Sequence, residues 1–468
     1  MFVGREEELN KLEELYSSGS FQMAVVYGRR RVGKTALINE FCKGKRALSF
    51  TALDQSDADN LADFNRAVGN FFNLPASLGG FSTWADALNY IAEQARSERF
   101  VFVFDEFPYA AERNEALPSI FQVAIDKVFK ETAAFIILCG SNQGFMEGKV
   151  LGRKSPLFGR RTAQIKLGDL GFRDAAKMLP GLSAQEAFRF YGCFGGVPYY
   201  LQQVDSSKSL RENLARLYFD PMGFLFEEPY GLLRQEFQEP ALYNSILRAI
   251  AAGANRAKEI ADRTGMAQTS LPRYVKALES IGVVEKAVPY GENPETSKRG
   301  MYRLSEPRYA FWFRFVMPFA SDIEAGLGRA VVNALPEEQI NEYLGHRFEA
   351  LCAEWLVEQA KKGKLPIAAT AVSSWWGTNP DKREQDDIDV LAADRIEKRL
   401  IIGECKYRES FYETAEIDDL ESKRSLVKGY VATNFMLFTK REVSVATRAK
   451  LANRGDWRLV TLEDMYAE

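Results

Sequence analysis

The fold is decided by residues 23–39, which read Met-Ala-Val-Val-Tyr, then Gly28-Arg-Arg-Arg-Val-Gly33-Lys34-Thr35, then Ala-Leu-Ile-Asn. The apolar, β-branched beginning predicts a buried strand, and the amphipathic end predicts a helix. The spacing Gly-x4-Gly-Lys-Thr between a strand and a helix predicts a phosphate-binding loop, because glycine lets successive N–H groups point at phosphate oxygens. The alternative is a surface turn rich in glycine and lysine.

If the loop binds ATP, two of its side chains have defined tasks. Lys34 is expected to reach the β- and γ-phosphates, and the Thr35 hydroxyl is expected to ligate Mg²⁺. The nucleotide-binding residues predicted in this stretch are Gly28, Arg29, Arg30, Arg31, Val32, Gly33, Lys34, Thr35 and Ala36.

A second apolar run, Arg99-Phe-Val-Phe-Val-Phe-Asp105-Glu106-Phe-Pro108, predicts a buried parallel strand with two carboxylates at its carboxyl end. Ligands of α/β sheets bind at that edge. Asp105 is therefore expected to hold the Mg²⁺ hydration shell, and Glu106 is expected to orient and deprotonate the attacking water. A strand that simply ends in two solvated acids is the alternative.

The next predicted strand runs from Ala133 to Cys139 and is followed by Ser141 and Asn142. In ATPases with an extra strand between the two phosphate-binding strands, a polar residue here senses the γ-phosphate, although a turn cap explains the pair equally well. Further on, Arg160 and Arg161 could supply an arginine finger, in cis or to a neighbouring subunit, or could form a basic surface turn.

Composition limits the remaining possibilities. A chain of 468 residues is too long for one core and predicts three or four domains, and its net charge of −3 excludes a generally basic nucleic-acid coat. Five dispersed cysteines and a single histidine, His346, argue against a cysteine-rich zinc ribbon and against multi-histidine metal sites. With no signal-peptide pattern and no apolar run of ~20 residues, we expect a cytoplasmic protein with no membrane partner.

We expect an ATPase core at residues 1–167, a helical lid at 168–238 and a winged helix at 239–320. The winged helix is predicted from three short helices followed by a hairpin. Its segment 241–306 contains ten Lys/Arg and seven Asp/Glu, a mild excess of basic residues that fits DNA binding or a protein–protein module. The residues predicted to contact nucleic acid are Thr269, Ser270, Arg273 and Lys276.

The aromatic stretch from Tyr309 to Pro318 favours packing between domains over a base-stacking platform. After it, residues 321–468 place Glu349 on a helix, Asp389 on one strand and Glu404 and Lys406 on the next. Residues two apart on a strand share a face. This arrangement resembles the PD-(D/E)xK nuclease core, although Asp389 follows isoleucine instead of proline. The resemblance implies that Asp389 and Glu404 hold Mg²⁺, that Lys406 polarises water and that Glu349 supports them. An ordinary α/β domain with solvated acids is the alternative.

Several motifs occur in a fixed order: Gly-Arg-Arg-Arg-Val-Gly-Lys-Thr, Phe-Asp-Glu-Phe-Pro, Cys-Gly-Ser, Ser-Pro-Leu-Phe-Gly-Arg-Arg-Thr and Gly195-Gly-Val-Pro198. Together they resemble the prokaryotic "archaeal ATPase" family of AAA+/STAND-like proteins. The resemblance implies an α/β multidomain fold with a P-loop, ASCE/AAA+-like parallel sheet. It also implies adenine contacts from Val3 and Gly4, a nucleotide-responsive lid element at Pro198, and a carboxy-terminal nuclease-like domain.

These observations favour an ATP hydrolase that is coupled through its lid and winged helix to a nuclease-like domain acting on DNA. One alternative is a nucleotide switch that uses an inactive nuclease-like domain as a scaffold. Another is a DNA-binding regulator that acts through the winged helix alone. Each of these three functions is compatible with a protein partner or with a homo-oligomer.

Overall fold

The phosphate-loop strand lies inside a five-stranded parallel sheet in the order β2-β3-β4-β1-β5. A computed structural model describes residues 2–75, 80–380 and 382–467. The strands of this first sheet are β1 (Gln22–Tyr27), β2 (Ala47–Thr51), β3 (Val101–Asp105), β4 (Phe135–Gly140) and β5 (Ala163–Lys166). Strand β4 pairs with both β1 and β3, which confirms the extra strand expected between the two phosphate-binding strands.

Helices cover both faces of this sheet, and alternate residues of each strand enter different cores. On β1, Met23 and Val25 pack in one apolar cluster, whereas Ala24 and Val26 pack in the other. The helices of this part of the chain are α1 (Glu6–Ser17), α2 (Lys34–Cys42), α3 (Asp57–Phe72), α4 (Trp84–Ser97), α5 (Phe107–Arg113), α6 (Leu117–Lys127) and α7 (Gln143–Phe145).

The chain divides into two units. One contains residues up to Leu170 together with Val197–Tyr199, and the other contains Gly171–Gly196 and the chain from Tyr200 onward. After the first sheet come short helices, two of which begin with a serine capping box. They are α8 (Phe172–Lys177), α9 (Ala184–Phe194), α10 (Pro198–Leu201), α11 (Leu210–Leu217) and α12 (Glu228–Glu236).

The predicted winged helix is present. Its helices are α13 (Pro240–Ala251), α14 (Ala257–Thr264) and α15 (Leu271–Ser280), and its antiparallel hairpin is β6 (Val284–Ala287) with β7 (Met301–Leu304). We call the connection between β6 and β7, residues 288–300, the wing. Glycine at position 265 ends α14 in the left-handed conformation (φ 68°), as its position after the helix predicted.

The aromatic stretch after the hairpin is part of the core. Trp312 is about 1% exposed, and its indole N–H donates a 2.7 Å hydrogen bond to the carbonyl of Phe226. The packing interpretation is therefore confirmed and the base-stacking alternative is excluded. The helices of this region are α16 (Pro307–Phe311), α17 (Ala320–Asp322), α18 (Gly328–Ala334) and the long α19 (Glu337–Lys361).

The carboxy-terminal part is built on a second five-stranded sheet, in the order β12-β11-β10-β9-β8. Strand β9 runs antiparallel to both of its neighbours, β8 and β10, whereas β10, β11 and β12 run parallel. The elements are β8 (Ala371–Thr378), β9 (Gln385–Asp394), β10 (Arg399–Lys406), α20 (Glu413–Ser422), β11 (Val431–Thr439), α21 (Val445–Leu451), β12 (Trp457–Thr461) and α22 (Leu462–Ala467). In the described parts of the chain, no helix is long and apolar enough to cross a bilayer.

Candidate active site

The loop between β1 and α2 curls around the Lys34 side chain. The Lys34 ammonium donates hydrogen bonds to the carbonyls of Gly28 (3.0 Å) and Arg29 (3.1 Å), and the side chain is about 6% exposed. A buried ammonium held only by neutral carbonyls is a strong site for an anion, since an opposite charge stabilises it further. The loop is therefore suited to a phosphate group.

Two glycines are required by the backbone of this loop. A Cβ atom at Gly28 would lie 2.3 Å from the carbonyl oxygen of Leu167, and Gly33 has a φ of +96° immediately before α2. A residue with a side chain would clash at the first position and would be strained at the second. The two fixed glycines of the motif thus set the loop geometry that leaves the N-terminus of α2 open.

The side chain that follows Lys34 links the loop to strand β3. The Thr35 hydroxyl donates a 3.0 Å hydrogen bond to the Asp105 carboxylate, which is about 8% exposed. A hydroxyl beside a carboxylate at the end of a phosphate loop is the pair of oxygen ligands expected for Mg²⁺ bound to a nucleoside triphosphate. The chemistry of these two groups fits that ion.

Glu106 lies just beyond β3 with a φ of +50°, which is uncommon for a residue other than glycine. Its carboxylate accepts two hydrogen bonds from Ser141, a 2.8 Å bond from the hydroxyl and a 3.1 Å bond from the backbone N–H. The strained backbone directs the Glu106 side chain toward the end of β4. The carboxylate is thereby held at the same edge of the sheet as Asp105.

The polar pair after β4 has two different tasks. Ser141 contacts Glu106, whereas the Asn142 side chain accepts a hydrogen bond from the Phe145 backbone N–H (2.9 Å) and caps α7. Asn142 thus caps a helix, and the sensing of the γ-phosphate by Ser141 or Asn142 stays a prediction. The Asn142 amide also donates a longer bond of 3.4 Å to Glu112.

The three arginines of the loop are engaged with other residues of the same unit. Arg29 forms a bidentate ion pair with Asp169, and Arg30 donates a 2.6 Å hydrogen bond to the Tyr109 hydroxyl. The Arg31 guanidinium lies over the ring of Tyr199, 5.0 Å from its centroid. Sequence reasoning missed Asp169, Tyr109 and Tyr199, because partners so distant in the chain leave no local pattern.

Arg160 and Arg161 each have a partner close by in the same unit. The Arg160 guanidinium forms an ion pair with Asp126 and donates a 2.8 Å hydrogen bond to the carbonyl of Pro156. The neighbouring Arg161 lies 5.7 Å from the centroid of the Phe158 ring. Both arginines stay predicted candidates for an arginine finger, in cis or to a neighbouring subunit, beside the alternative of a basic surface turn.

The amino-terminal segment approaches the loop through a residue that sequence reasoning did not select. Arg5 donates hydrogen bonds to the carbonyls of Val32 (3.2 Å) and Gly168 (2.6 Å). Gly4 is buried with a φ of 67°, and Val3 is half-buried. On the other side of the loop, the Pro198 ring lies 3.8 Å from the Cβ position of Gly33. Val3, Gly4 and Pro198 thus remain predicted nucleotide contacts, placed by elements that touch the loop.

The predicted nucleic-acid residues lie together at the beginning of α15. Two precede the helix and two lie on its first turns, and all four are exposed: Thr269, Ser270, Arg273 and Lys276. The apolar residues Leu271, Val275 and Leu278 form the opposite, buried face. Exposed hydroxyls and basic groups on one helix face are suited to contacts with phosphates.

In the carboxy-terminal part, the carboxylate of Asp389 accepts a 2.8 Å hydrogen bond from the backbone N–H of Cys405. Burial, together with the nearby carboxylates Glu404 and Glu349, raises the pKa of Asp389 well above its ordinary value. The structure thus brings this acid close to the Glu-x-Lys strand, as its position on the adjacent strand predicted.

Lys406 shares a face with Glu404 and forms ion pairs with Glu404 (2.7 Å) and Glu416 (3.0 Å). Lys423 approaches the other Glu404 oxygen at 3.9 Å. In residues 2–75, 80–380 and 382–467, no three His, Cys, Asp or Glu side chains are arranged to hold a metal ion. The expected Mg²⁺ ligands Asp389 and Glu404 therefore do not form a metal cluster with Glu349 in this conformation.

Three families match parts of the chain. Residues 2–204 match an ATPase domain found predominantly in Archaea, and residues 245–287 match the IclR helix-turn-helix domain. Residues 312–418 match a family of archaeal and bacterial proteins of unknown function. The first match covers the phosphate loop, and the second covers the three-helix part of the winged helix. None of these matches describes a nuclease.

Two solved structures are similar to parts of the chain. A Walker-type ATPase of Pyrococcus abyssi is 20% identical, with a TM-score of 0.49 over 67% of this chain and 96% of that chain. The ORC1 protein of Aeropyrum pernix, solved in complex with DNA, is 16% identical, with a TM-score of 0.36 over 69% of this chain and 95% of that chain.

A relative from Methanocaldococcus jannaschii, an uncharacterized protein, is similar to the chain from end to end. The two are 30% identical over 470 aligned positions, which cover 99% of this chain and 100% of the relative. An ATP-binding protein of the same organism is 48% identical over 46 residues, 10% of this chain and 78% of that protein. The chain therefore belongs to the family of the full-length Methanocaldococcus jannaschii relative, and within it carries the ATPase domain found predominantly in Archaea.

Proposed function

We propose that the protein is a Mg²⁺-dependent ATP hydrolase of the AAA+/STAND-like type that acts on DNA together with its winged helix and carboxy-terminal domain. One observation carries the hydrolase proposal. The Thr35 hydroxyl and the Asp105 carboxylate are in contact, with the Lys34 ammonium on the same loop and the Glu106 carboxylate next to Asp105. These are the groups that phosphoryl transfer to water requires.

In this proposal, Lys34 exchanges its two carbonyl partners for phosphate oxygens when ATP binds. Thr35 and Asp105 would hold Mg²⁺, which neutralises charge on the β- and γ-phosphates when it is bound. The backbone N–H groups at the beginning of α2 face the same anion. The residues present thus fit both the nucleotide and the metal ion.

Glu106 is the general base of this site. Its carboxylate accepts a proton from the attacking water, and the two hydrogen bonds from Ser141 keep it oriented while it does so. The left-handed backbone of Glu106 supports this role, because strained residues persist where the surrounding structure fixes a functional side chain. Ser141 acts through Glu106 and is a positioning residue.

Action on DNA is supported by the winged helix. Its exposed residues at the start of α15 include Arg273 and Lys276, and this domain carries a small excess of basic residues. Removal of both charges should weaken DNA binding and reduce its dependence on salt, since each lost phosphate contact lowers the slope of log K against log salt by about 0.9 for a duplex. The ATPase rate without DNA should not change.

A second function, a nucleotide switch with an inactive scaffold domain, is favoured by one specific observation. Lys406 is engaged by both Glu404 and Glu416, so its ammonium is not directed at a substrate water. The substitution Asp389→Asn separates the two functions. A nuclease loses Mg²⁺-dependent DNA cleavage in this variant, whereas a switch shows no cleavage in the wild type and retains its partner binding.

A further inference from the structure

The wing of the winged helix is attached to the edge of the carboxy-terminal sheet. The backbone N–H of Tyr290 donates a 2.9 Å hydrogen bond to the carbonyl of Ser374, and Arg299 donates a 3.1 Å bond to the carbonyl of Trp376. Both acceptors belong to β8, the edge strand of that sheet. The Tyr290 and Tyr430 hydroxyls also lie 3.2 Å apart. The wing therefore covers a strand edge that would otherwise present unpaired backbone groups.

Beside this attachment, a cavity of about 710 Å³ lies between the winged helix and the carboxy-terminal domain. One wall is formed by the hairpin strands β6 and β7, and the other by α19 with β8 and β9. Asp389 and Glu349 both line it, so two of the four nuclease-like residues face the hairpin. Glu404 and Lys406 are not among the lining residues.

The walls carry the groups that bind a phosphodiester strand. Four basic side chains, Lys286, Arg303, Arg314 and Arg347, and three carboxylates, Glu285, Glu349 and Asp389, line the cavity. Lys286 donates to the carbonyl of Pro294 (2.6 Å), and Arg314 forms an ion pair with Glu342 (3.1 Å). Arg347 donates from its guanidinium to the carbonyls of Leu304 (3.0 Å) and Ser305 (3.3 Å). Arg303 is the exposed member of the four, with its guanidinium 5.9 Å from the centroid of the Trp376 ring, and is therefore the basic group most open to a phosphate. The phenol ring of Tyr302 on the same wall offers a surface on which a base can stack.

An unpaired base suits this cavity better than a duplex. The volume of about 710 Å³ is that of a small-ligand site and accommodates one or two nucleotides. In a duplex the faces of the bases are covered by the neighbouring pairs, so only an unpaired base can stack on Tyr302.

We propose that this cavity binds a single-stranded segment of DNA, with a phosphate at Arg303, a base against Tyr302 and the winged-helix hairpin as one wall. The proposal rests on the proposed function, action on DNA, and specifies the strand that the carboxy-terminal domain receives. It does not require that the strand is cleaved. It assigns the hairpin to this cavity and leaves the exposed face of α15 for duplex contacts.

The test is fluorescence anisotropy with the full chain, using a labelled oligothymidine and a duplex of equal length at several salt concentrations. Arg303→Ala is expected to weaken binding of the single strand about fivefold to tenfold and to lower the salt slope by about 0.7. Arg329→Ala is the matched control, because it removes one exposed arginine of α18 that does not line the cavity. It should leave the single-strand affinity within about twofold.

A second variant fills the cavity without removing a charge. Ala350 is an exposed residue of α19 that lines the cavity, and Ala350→Trp should lower the single-strand affinity at least tenfold. Ala449→Trp, at an exposed position of α21, is its control. Circular dichroism shows that each variant is folded.

The proposal is overturned if the single-strand affinity is the same in Arg303→Ala and Ala350→Trp as in their controls. If the duplex still binds through Lys276 in that case, action on DNA stands and only the cavity assignment fails. If the wild type binds neither DNA while it hydrolyses ATP, both the cavity assignment and the proposed action on DNA fail.

Discussion

The Ser141 hydroxyl and the Ser141 backbone N–H both donate to the same oxygen of Glu106, at 2.8 Å and 3.1 Å. The two residues lie at the ends of adjacent strands, β4 and β3, and are 35 positions apart in the chain. A carboxylate held by two donors has one orientation in place of several. The pair therefore links the strand that carries Asp105 to the strand between the two phosphate-binding strands.

Glu106→Gln should abolish hydrolysis and preserve nucleotide binding. Glutamine keeps the hydrogen-bond acceptor for Ser141 but cannot take a proton from water, and loss of a general base costs about a hundredfold to ten-thousandfold in rate. The measurement is phosphate release under saturating ATP, together with equilibrium binding of a fluorescent ATP analogue. Hydrolysis at the wild-type rate in Glu106→Gln would remove Glu106 from the role of base.

Ser141→Ala should lower kcat about fivefold to tenfold and leave KM for ATP within about twofold. The variant removes the hydroxyl donor but keeps the backbone donor, and a hydrogen bond to a charged group contributes about 1.5 kcal/mol. Ser141→Thr, which retains a hydroxyl, should restore most of the rate. A rise in KM at unchanged kcat would instead indicate that Ser141 contacts the nucleotide directly.

Glu354 on α19 should make the stability of its unit depend on pH. It accepts hydrogen bonds from the Phe172 backbone N–H (3.0 Å) and the Tyr191 hydroxyl (3.2 Å), and burial raises its pKa to about 7. Glu358 raises this pKa further, whereas Arg173 lowers it. Between the ordinary value of 4.5 and about 7, the folded protein retains a proton that the unfolded chain has lost.

The free energy of unfolding should therefore fall as the pH rises from about 5 to about 7, by up to about 3 kcal/mol from this residue. Glu354→Gln removes the titrating group but keeps a hydrogen-bond acceptor. Its free energy of unfolding should therefore lack this fall between about pH 5 and about pH 7. Urea unfolding of both proteins at pH 5, 6, 7 and 8 measures the difference. If the free energies of unfolding of the two proteins differed by the same amount at all four pH values, Glu354 would be ionised throughout this pH range.

Replacement of Arg308 alone should lower the stability of its unit. Its side chain is fully buried, forms an ion pair with Glu306 (3.3 Å) and lies 4.1 Å from the centroid of the Tyr200 ring. Arg308→Met should destabilise its unit by about 3–5 kcal/mol, because Glu306 is then a buried charge without its main partner. The double variant Arg308→Met with Glu306→Gln should recover much of this loss, as measured by thermal unfolding. Equal melting temperatures for the single and double variants would contradict this explanation.

Much of the architecture could be predicted because it follows from local patterns of glycine and apolar residues in the sequence. The backbone of the phosphate loop requires glycine at positions 28 and 33. The short apolar runs before Asp105 and Ser141 predict buried strands, and the structure confirms both. The three helices and the hairpin of the winged helix were likewise indicated by apolar periodicity and terminal glycines.

The rest depends on pairings between distant segments, which no local pattern encodes. Nothing in the residues around Tyr290 indicates that the wing lies on β8, and nothing near Arg308 indicates that an arginine is fully buried there. For the same reason, the sequence did not show that Asp389 faces a cavity while Lys406 is engaged in ion pairs. These arrangements arise from tertiary packing.

Hydrolysis of ATP at the phosphate loop is measured by the rate of phosphate release from ATP with Mg²⁺, for the wild type beside Lys34→Ala and Lys43→Ala. Lys43 is an exposed lysine just after α2 and serves as the matched control. We predict Mg²⁺-dependent turnover in the wild type and in Lys43→Ala, and a loss of about a hundredfold or more in Lys34→Ala, since Lys34 is the buried cation of the phosphate loop. Turnover in Lys34→Ala equal to that of the wild type, or no turnover in any of the three proteins, would show that this loop is not the site of ATP hydrolysis.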